Sequence, residues 1–151
     1  MKSIFLTMLF AMLVTGSAQA ATNSTSLVEI NSADYGDTNC MMRIVELERG
    51  PNTSRLKLTY DKMGSSVGSS MFIMRAFYEV AKARGTEYFT NLKEWDDADG
   101  GTLYIGGFTD KKDANIQDEF GADFTPTNKY GQVRLFMSVS QCNMLWGNTD
   151  Q

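Results

Sequence analysis

Apolar and polar residues alternate in two stretches of the chain, with the period of two that is typical of half-buried β-strands. Residues 55–60 (RLKLTY) place an apolar or aromatic side chain at every second position, and residues 132–140 (QVRLFMSVS) do the same. Residues 41–48 (MMRIVELE) are also rich in strand-forming types. The turn-forming residues 49–52 (RGPN) separate this run from the alternating run at 55–60, so we expect an antiparallel hairpin.

A helical spacing of apolar residues distinguishes residues 71–84 (MFIMRAFYEVAKAR) from the strands around them. Ser69 or Ser70 precedes this segment as a natural N-cap, and Gly85 follows it where helices commonly end. The pattern therefore predicts one helix over residues 71–84.

Three more strands are expected after the helix, in residues 86–92 (TEYFTNL), 102–108 (TLYIGGF) and 132–140. The predicted order is ββαβββ. A helix packed on one face of a mainly antiparallel sheet of about five strands would bury the apolar rows, so we expect a two-layer α+β domain.

The N-terminus has the layout of a secretory signal peptide. Lys2 supplies a positive charge, residues 4–14 (IFLTMLFAMLV) are apolar, and residues 18–20 (AQA) are small at the positions that a signal peptidase recognises. At about 1.5 Å per residue the apolar run would make roughly 16 Å of helix, too short for a hydrocarbon core of about 30 Å. We expect residues 1–20 to be removed, with no stable membrane insertion afterwards.

Cleavage would leave about 130 residues, the size of one domain. Residues 21–38 are polar and predict a flexible N-terminal arm, and residues 39–151 predict a single α+β domain. The predicted location is the periplasm, or the medium if the protein is secreted.

The two cysteines lie near the two ends of this domain, at Cys40 and Cys142. In an oxidising compartment, an even number of cysteines in a small domain first indicates a disulfide. A bridge that closes a loop of this length would stabilise the domain by roughly 4–5 kcal/mol in the chain-entropy model. Two reactive thiols are the alternative, but no Cys-x-x-Cys spacing favours them.

Charge and histidine content exclude several functions. The net charge is −4, which argues against nucleic-acid binding because phosphate backbones attract clustered Lys and Arg. The chain has no histidine, which removes the usual Ser-His-Asp and Cys-His pairs and most imidazole-based zinc sites. We expect no cofactor, and an enzyme of this composition would depend on carboxylates, Lys, Tyr or Ser.

An acidic segment is one candidate site. Two glycines follow it, and it contains four carboxylates, those of Glu94, Asp96, Asp97 and Asp99. Such a segment could bind Ca²⁺ through oxygen ligands, or pair two carboxylates for glycoside cleavage. The simpler interpretation is a solvated loop between two strands, and we favour it.

A second candidate is a Gly-Ser segment in front of the predicted helix, made of Gly64, Ser65, Ser66, Gly68, Ser69 and Ser70. Backbone N–H groups and hydroxyls at a helix N-terminus could bind an anion. The segment lacks the Gly-Lys-Ser/Thr ending of a P-loop. A flexible connection that ends in an N-cap explains it better.

The last predicted strand offers a third possibility, because Arg134 and Phe136 alternate with its apolar row. If the far face of the sheet is open, these two residues would lie there as part of a contact surface for a partner.

Residues 75–89 resemble a recurring core in small envelope proteins of Gram-negative bacteria. In that core a helix of the form R-A-x-x-x-x-A, here Arg75, Ala76 and Ala81, runs through a glycine into a strand that begins with an aromatic pair. Many of those proteins are lipoproteins, whereas this chain has no cysteine at its cleavage site. The resemblance implies a periplasmic location and a helix-on-sheet fold, and it implies no catalytic residue.

We therefore expect an exported, non-enzymatic module that binds another envelope protein or cell-surface component. The alternative is a carboxylate-dependent hydrolase of a cell-wall or other sugar polymer, acting through Glu94 and a nearby Asp.

Overall fold

The structure, a computed structural model, describes residues 27–36 and 40–147. Its elements follow in the order β1 (Glu29–Asn31), a 3-10 turn (Ser32–Tyr35), β2 (Met41–Arg49), β3 (Thr53–Lys62), α1 (Ser66–Arg84), β4 (Tyr88–Asp96), β5 (Thr102–Thr109), α2 (Ile116–Phe120), β6 (Met137–Ser138) and α3 (Val139–Trp146). The predicted signal peptide, residues 1–20, lies outside the described residues. Of the predicted arm, residues 29–31 form a strand. No helix in the described ranges has the length and apolar character needed to cross a bilayer.

All six strands form one antiparallel sheet in the order β1-β2-β3-β5-β4-β6. The two outer strands are very short. β1 pairs with three residues of β2, and β6 pairs only with Tyr88 and Phe89 of the nine-residue β4. Along most of its outer edge, β4 therefore has no strand of the described residues beside it.

The predicted hairpin is confirmed as β2 and β3, and the end of α1 is fastened to its turn. Arg84 donates from Nη2 to the backbone oxygens of Gly50, at 2.9 Å, and Pro51, at 2.6 Å. Its Nη1 donates to the hydroxyl of Ser54 at 2.9 Å. These bonds fix the angle at which α1 crosses the sheet.

Helix α1 ends as predicted but begins earlier. Gly85 follows it with φ +72°, a left-handed conformation that suits glycine. The N-cap is Ser65, whose hydroxyl accepts a 3.1 Å hydrogen bond from the N–H of Gly68. The prediction of Ser69 or Ser70 as the cap is therefore wrong, because Ser65 already accepts a hydrogen bond from a backbone N–H of the first turn.

The main core lies between α1 and one face of the sheet. The ring of Phe77 is at its centre, 6.5 Å from the ring of Phe89, 6.4 Å from that of Phe108 and 6.0 Å from that of Tyr104. Val80 is also buried there, as its place on the apolar side of the predicted helix implies.

A second, smaller core covers the opposite face of the sheet. Leu92 of β4 packs there with Ile116 and Phe120 of α2. Phe136 stacks on Phe120, with 6.1 Å between the ring centroids. This face is therefore covered near β4 and β5, and Phe136 belongs to a core and not to an open contact surface as predicted.

The predicted fold of one helix on a sheet of about five strands, ββαβββ, is wrong. The described residues form a six-stranded sheet with three α-helices. The largest local error concerns residues 132–140, where only Met137–Ser138 is strand and Val139 begins α3.

Two polar residues explain why the chain forms a helix from Val139 onward. The hydroxyl of Ser138 caps α3, and the carboxylate of Glu87 accepts hydrogen bonds from the Ser138 hydroxyl at 2.6 Å and the Ser140 N–H at 3.1 Å. A carboxylate at this end of a helix also offsets the partial positive charge of its N-terminus.

The predicted disulfide is also wrong. Cys40 and Cys142 are both buried free cysteines within the main core. Burial raises the pKa of the Cys142 thiol. The two side chains act as small apolar groups, which is a common role for buried cysteine.

Candidate functional site

A groove follows β4 beyond the point where β6 stops. It consists of two neighbouring cavities of about 530 Å³ and 330 Å³. Four residues line both cavities, namely Thr90, Asn91, Glu94 and Leu135. We call the two cavities together the β4 groove.

The smaller cavity is the apolar end of the β4 groove. The buried rings of Phe77, Phe89 and Tyr104 line it, together with Ile73 and Met74 of α1. An apolar side chain of a ligand would lose its water shell against these residues, which is the main favourable term in most protein associations.

Tyr104 carries the hydroxyl nearest to this apolar lining. Burial, followed by the negative charge of Glu94, raises the pKa of Tyr104 to about 12. The phenol therefore stays protonated at neutral pH and can donate a hydrogen bond, but it cannot serve as a base.

The larger cavity is the polar end of the β4 groove. Glu94 forms an ion pair with Lys129, 2.9 Å between Oε1 and Nζ, and its Oε2 accepts a 3.1 Å hydrogen bond from the Asn91 amide. Arg134 donates from Nε to the backbone oxygen of Thr125 at 3.0 Å and from Nη1 to that of Asn91 at 2.6 Å. Burial lowers the pKa of the Arg134 guanidinium, and the charge of Glu94 opposes this effect.

Asn91 lies where the two cavities meet. Its side-chain oxygen is buried and has no hydrogen-bond partner among the described residues. Leaving a buried polar atom unpaired costs about 1–3 kcal/mol, so such atoms are uncommon in folded proteins.

A small hairpin forms one rim of the groove. Thr127 and Val133 form an isolated antiparallel bridge, and the side chain of Asn128 accepts hydrogen bonds from the N–H groups of Tyr130 and Gln132 at 2.9 Å and 3.0 Å. Along this rim, three large apolar side chains are about three-quarters exposed: Tyr130 74%, Val133 71% and Leu135 75%. A cluster of exposed apolar residues beside a cavity is typical of an interaction surface.

The structure separates the predicted acidic site into two parts. Glu94 belongs to the β4 groove, whereas Asp97 is paired with Lys57. Asp96 and Asp99 are exposed. Within residues 27–36 and 40–147, no group of three or more Asp, Glu, His or Cys side chains could hold a metal ion.

Turn geometry explains the glycines that follow these carboxylates. Gly101 has φ +89°, and a Cβ there would lie 2.1 Å from the backbone oxygen of Leu58. Only glycine fits such a close approach.

The predicted Gly-Ser site lies mostly inside α1. Ser66, Gly68, Ser69 and Ser70 are helical, and the backbone of Gly64 packs against Cys40. The hydroxyl of Ser65 already accepts from the N–H of Gly68, and that of Ser70 donates to the backbone oxygen of Ser66 at 2.8 Å. Much of the segment's hydrogen-bonding capacity is thus used within the helix.

Sequence reasoning missed most of the groove. It selected Glu94 and Arg134, but it did not select Asn91, Tyr130 or Leu135. The available signal was the turn sequence at residues 128–131 (NKYG), which indicates a hairpin that would place Tyr130 at its tip.

Comparison with known protein families, with characterised proteins and with solved structures finds no match to this chain. Function is therefore argued from the β4 groove itself.

Proposed function

We propose that this protein is an exported, non-enzymatic binding module, located in the periplasm or secreted, that holds another envelope component in the β4 groove. The observation that carries the proposal is the combination of two joined cavities with a rim of exposed apolar residues. Binding sites are concave and largely apolar, with a few fixed polar groups. The β4 groove combines an apolar cavity of this kind with a polar one whose charged groups are held by neighbours.

The polar groups of the groove favour binding over catalysis. Both oxygens of Glu94 already accept from neighbours, Lys129 and Asn91. Tyr104, with its pKa raised to about 12, stays protonated. The carboxylate of Glu94 is thus engaged by its neighbours, and the phenol of Tyr104 is protonated.

The alternative, a hydrolase of a cell-wall or other sugar polymer, requires two carboxylates that face one another across a cleft. Asp97 is committed to Lys57, and Asp96 and Asp99 are exposed. This arrangement gives the hydrolase less support than the binding module.

Site-specific photo-crosslinking in the native host tests the proposal. A photoreactive phenylalanine analogue replaces Leu135 on the rim of the groove or, as a matched control, Met144 on α3, an equally exposed apolar residue that lines neither cavity of the groove. We expect a discrete adduct from position 135 in the envelope fraction and none from position 144. Identical adducts from both positions, or none from either, would contradict binding in the groove.

The location is tested on the same material. Mass spectrometry of the protein from the envelope fraction should show a chain that begins at Ala21. A chain that retains Met1, recovered from the cytoplasm, would contradict export.

A further inference from the structure

The geometry of the polar end points to the chemistry of the ligand. Resting on the function proposed for the β4 groove, we infer that the partner segment held there is an extended peptide that carries an acidic side chain close to a large apolar one. The acidic side chain pairs with Arg134, and the apolar one enters the cavity lined by Phe77, Phe89 and Tyr104.

Arg134 is held in place without a carboxylate of its own. Nε and Nη1 are fixed by the backbone oxygens of Thr125 and Asn91, whereas no ion pair and no hydrogen bond from Nη2 is formed with any described residue. A guanidinium presents five N–H donors in a planar fork that matches a carboxylate. Because its orientation is already fixed, little side-chain entropy is lost when a carboxylate binds.

The residues around Arg134 also carry an excess of positive charge. The larger cavity is lined by three cationic residues, Lys93, Lys129 and Arg134, and by two acidic ones, Glu94 and Asp123. The whole chain has a net charge of −4. A cavity with an excess of positive charge on an acidic protein is complementary to a ligand that brings one carboxylate.

The apolar cavity lies directly beside this positive site. Asn91 lines both cavities, and its backbone oxygen is the acceptor for Arg134 Nη1. In an extended peptide, residues i and i+2 point to the same side and lie about 7 Å apart. An acidic residue and an apolar residue two positions apart can therefore occupy the two cavities together.

A peptide fits the groove better than a polysaccharide does. Sugars stack on exposed aromatic faces, whereas the rings of Phe77, Phe89 and Tyr104 are buried at the bottom of the apolar cavity, and the exposed ring of Tyr130 lies on the rim. Residues 134 and 135 bond to β4 at Thr90 and Asn91, but beyond Asn91 its outer edge has no strand of the described residues beside it. This open part of the edge suits an extended chain.

The test begins with a peptide selection. A random dodecapeptide display library, in which the peptide C-terminus is fused and carries no free carboxylate, is selected against the full protein. Enriched peptides are synthesised with acetylated and amidated ends, and their Kd values are measured by fluorescence anisotropy. Each is compared with the same peptide in which Glu or Asp is replaced by Gln or Asn.

We expect the enriched peptides to share an acidic residue two positions from Phe, Leu, Ile or Met. Neutralising the acidic residue should weaken binding to the unaltered protein at least tenfold. With Arg134→Gln, both forms of the peptide should bind with the same weakened affinity. The control Arg55→Gln, which removes an exposed guanidinium on β3 that pairs with Glu48, should leave the tenfold difference in place. If Arg134→Gln does not fold, the comparison of the two peptides on the unaltered protein still decides the question.

Three results would overturn the inference in different ways. If the selected peptides bind in the groove, as shown by weaker binding to Leu135→Asp, but the neutral form binds within twofold of the acidic form, the inference is wrong and the proposed function stands. If Leu135→Asp weakens the binding of none of the selected peptides, the inference and the proposed function are both wrong. Displacement of the peptide by soluble cell-wall glycan fragments, and not by a second acidic peptide, would also overturn the inference.

Discussion

The phenol of Tyr78 donates a 2.5 Å hydrogen bond to the side-chain oxygen of Asn143, and this bond joins the middle of α1 to α3. The ring of Trp146 lies against the same tyrosine, with 5.3 Å between the ring centroids. The C-terminal helix is therefore held to the domain by a partly buried polar contact and an aromatic one. These two contacts attach the C-terminal segment to the rest of the domain, which is the role that the sequence analysis gave to a disulfide.

Removing the Tyr78 hydroxyl tests this contact. Tyr78→Phe leaves the ring in place but removes the hydrogen bond to Asn143, so we expect a loss of about 0.5–1.5 kcal/mol in the free energy of unfolding. The measurement is urea denaturation followed by circular dichroism. Tyr60→Phe, at an exposed tyrosine, should change the free energy by less than about 0.5 kcal/mol. Equal effects of the two substitutions would show that the contact with Asn143 does not stabilise the domain.

The two cysteines should behave as buried thiols. We expect the protein, isolated without reductant, to release two thiols per chain to a thiol reagent in denaturant, and to react slowly when folded because Cys40 and Cys142 are buried. Reductant should leave the melting temperature unchanged. A melting temperature that falls by several degrees in reductant would show that the cysteines are bonded.

A buried carboxylate should make the domain sensitive to acid. Glu46 is almost fully buried and accepts hydrogen bonds from Arg49, Ser54 and the N–H of Val28. Burial raises the pKa of Glu46, but these hydrogen bonds outweigh it and hold the pKa below its ordinary value of 4.5. Because the folded pKa lies below the unfolded one, the carboxylate contributes stability above pH 4.5. This contribution is lost as the pH falls through the folded pKa.

Replacing this carboxylate tests the assignment. Glu46→Gln removes one partner of a buried ion pair, and we expect it to lower the free energy of unfolding at pH 7 by about 3–5 kcal/mol. The variant should also lose less stability than the original protein between pH 5 and pH 3. Glu48→Gln is the control, because Glu48 is an exposed residue of the same strand, and it should cost less than about 1 kcal/mol. The same acid sensitivity in Glu46→Gln as in the unaltered protein would rule out Glu46 as its source.

Local patterns were sufficient for the parts of the fold that depend on neighbours along the chain. The turn at residues 49–52 and the alternation at residues 55–60 indicate the hairpin of β2 and β3, and Gly85 indicates the end of α1. In each case the residues that decide the structure are within a few positions of it.

Residues 132–140 show why the rest could not be predicted. Their alternation is as regular as that of β3, yet Val133 and Leu135 are exposed. Phe136 packs against the smaller core, and Met137 and Val139 pack against the main one. A period of two says which side chains share a face, but not which face is buried, because that depends on α2 and on Glu87, distant in sequence. The prediction of a disulfide was wrong for a similar reason. The number of cysteines does not specify whether their side chains lie in the geometry that a disulfide needs.

The β4 groove was predictable only in fragments. Glu94 and Arg134 can be selected from the sequence because they are charged. Their roles follow from contacts with Lys129, Asn91 and Thr125, which no local pattern encodes. The unpartnered oxygen of Asn91 is likewise a property of the packed structure.

A pair of matched substitutions distinguishes binding in the β4 groove from binding elsewhere on the surface. Leu135 is 75% exposed on the rim of the groove, and Met144 is 78% exposed on α3, outside the groove. Leu135→Asp and Met144→Asp should leave the urea midpoint unchanged, because neither side chain is buried. In fluorescence anisotropy with the peptide that binds the unaltered protein most tightly, we expect Leu135→Asp to weaken binding at least tenfold and Met144→Asp to change it less than twofold. Equal affinities for the two variants would contradict the assignment of the groove.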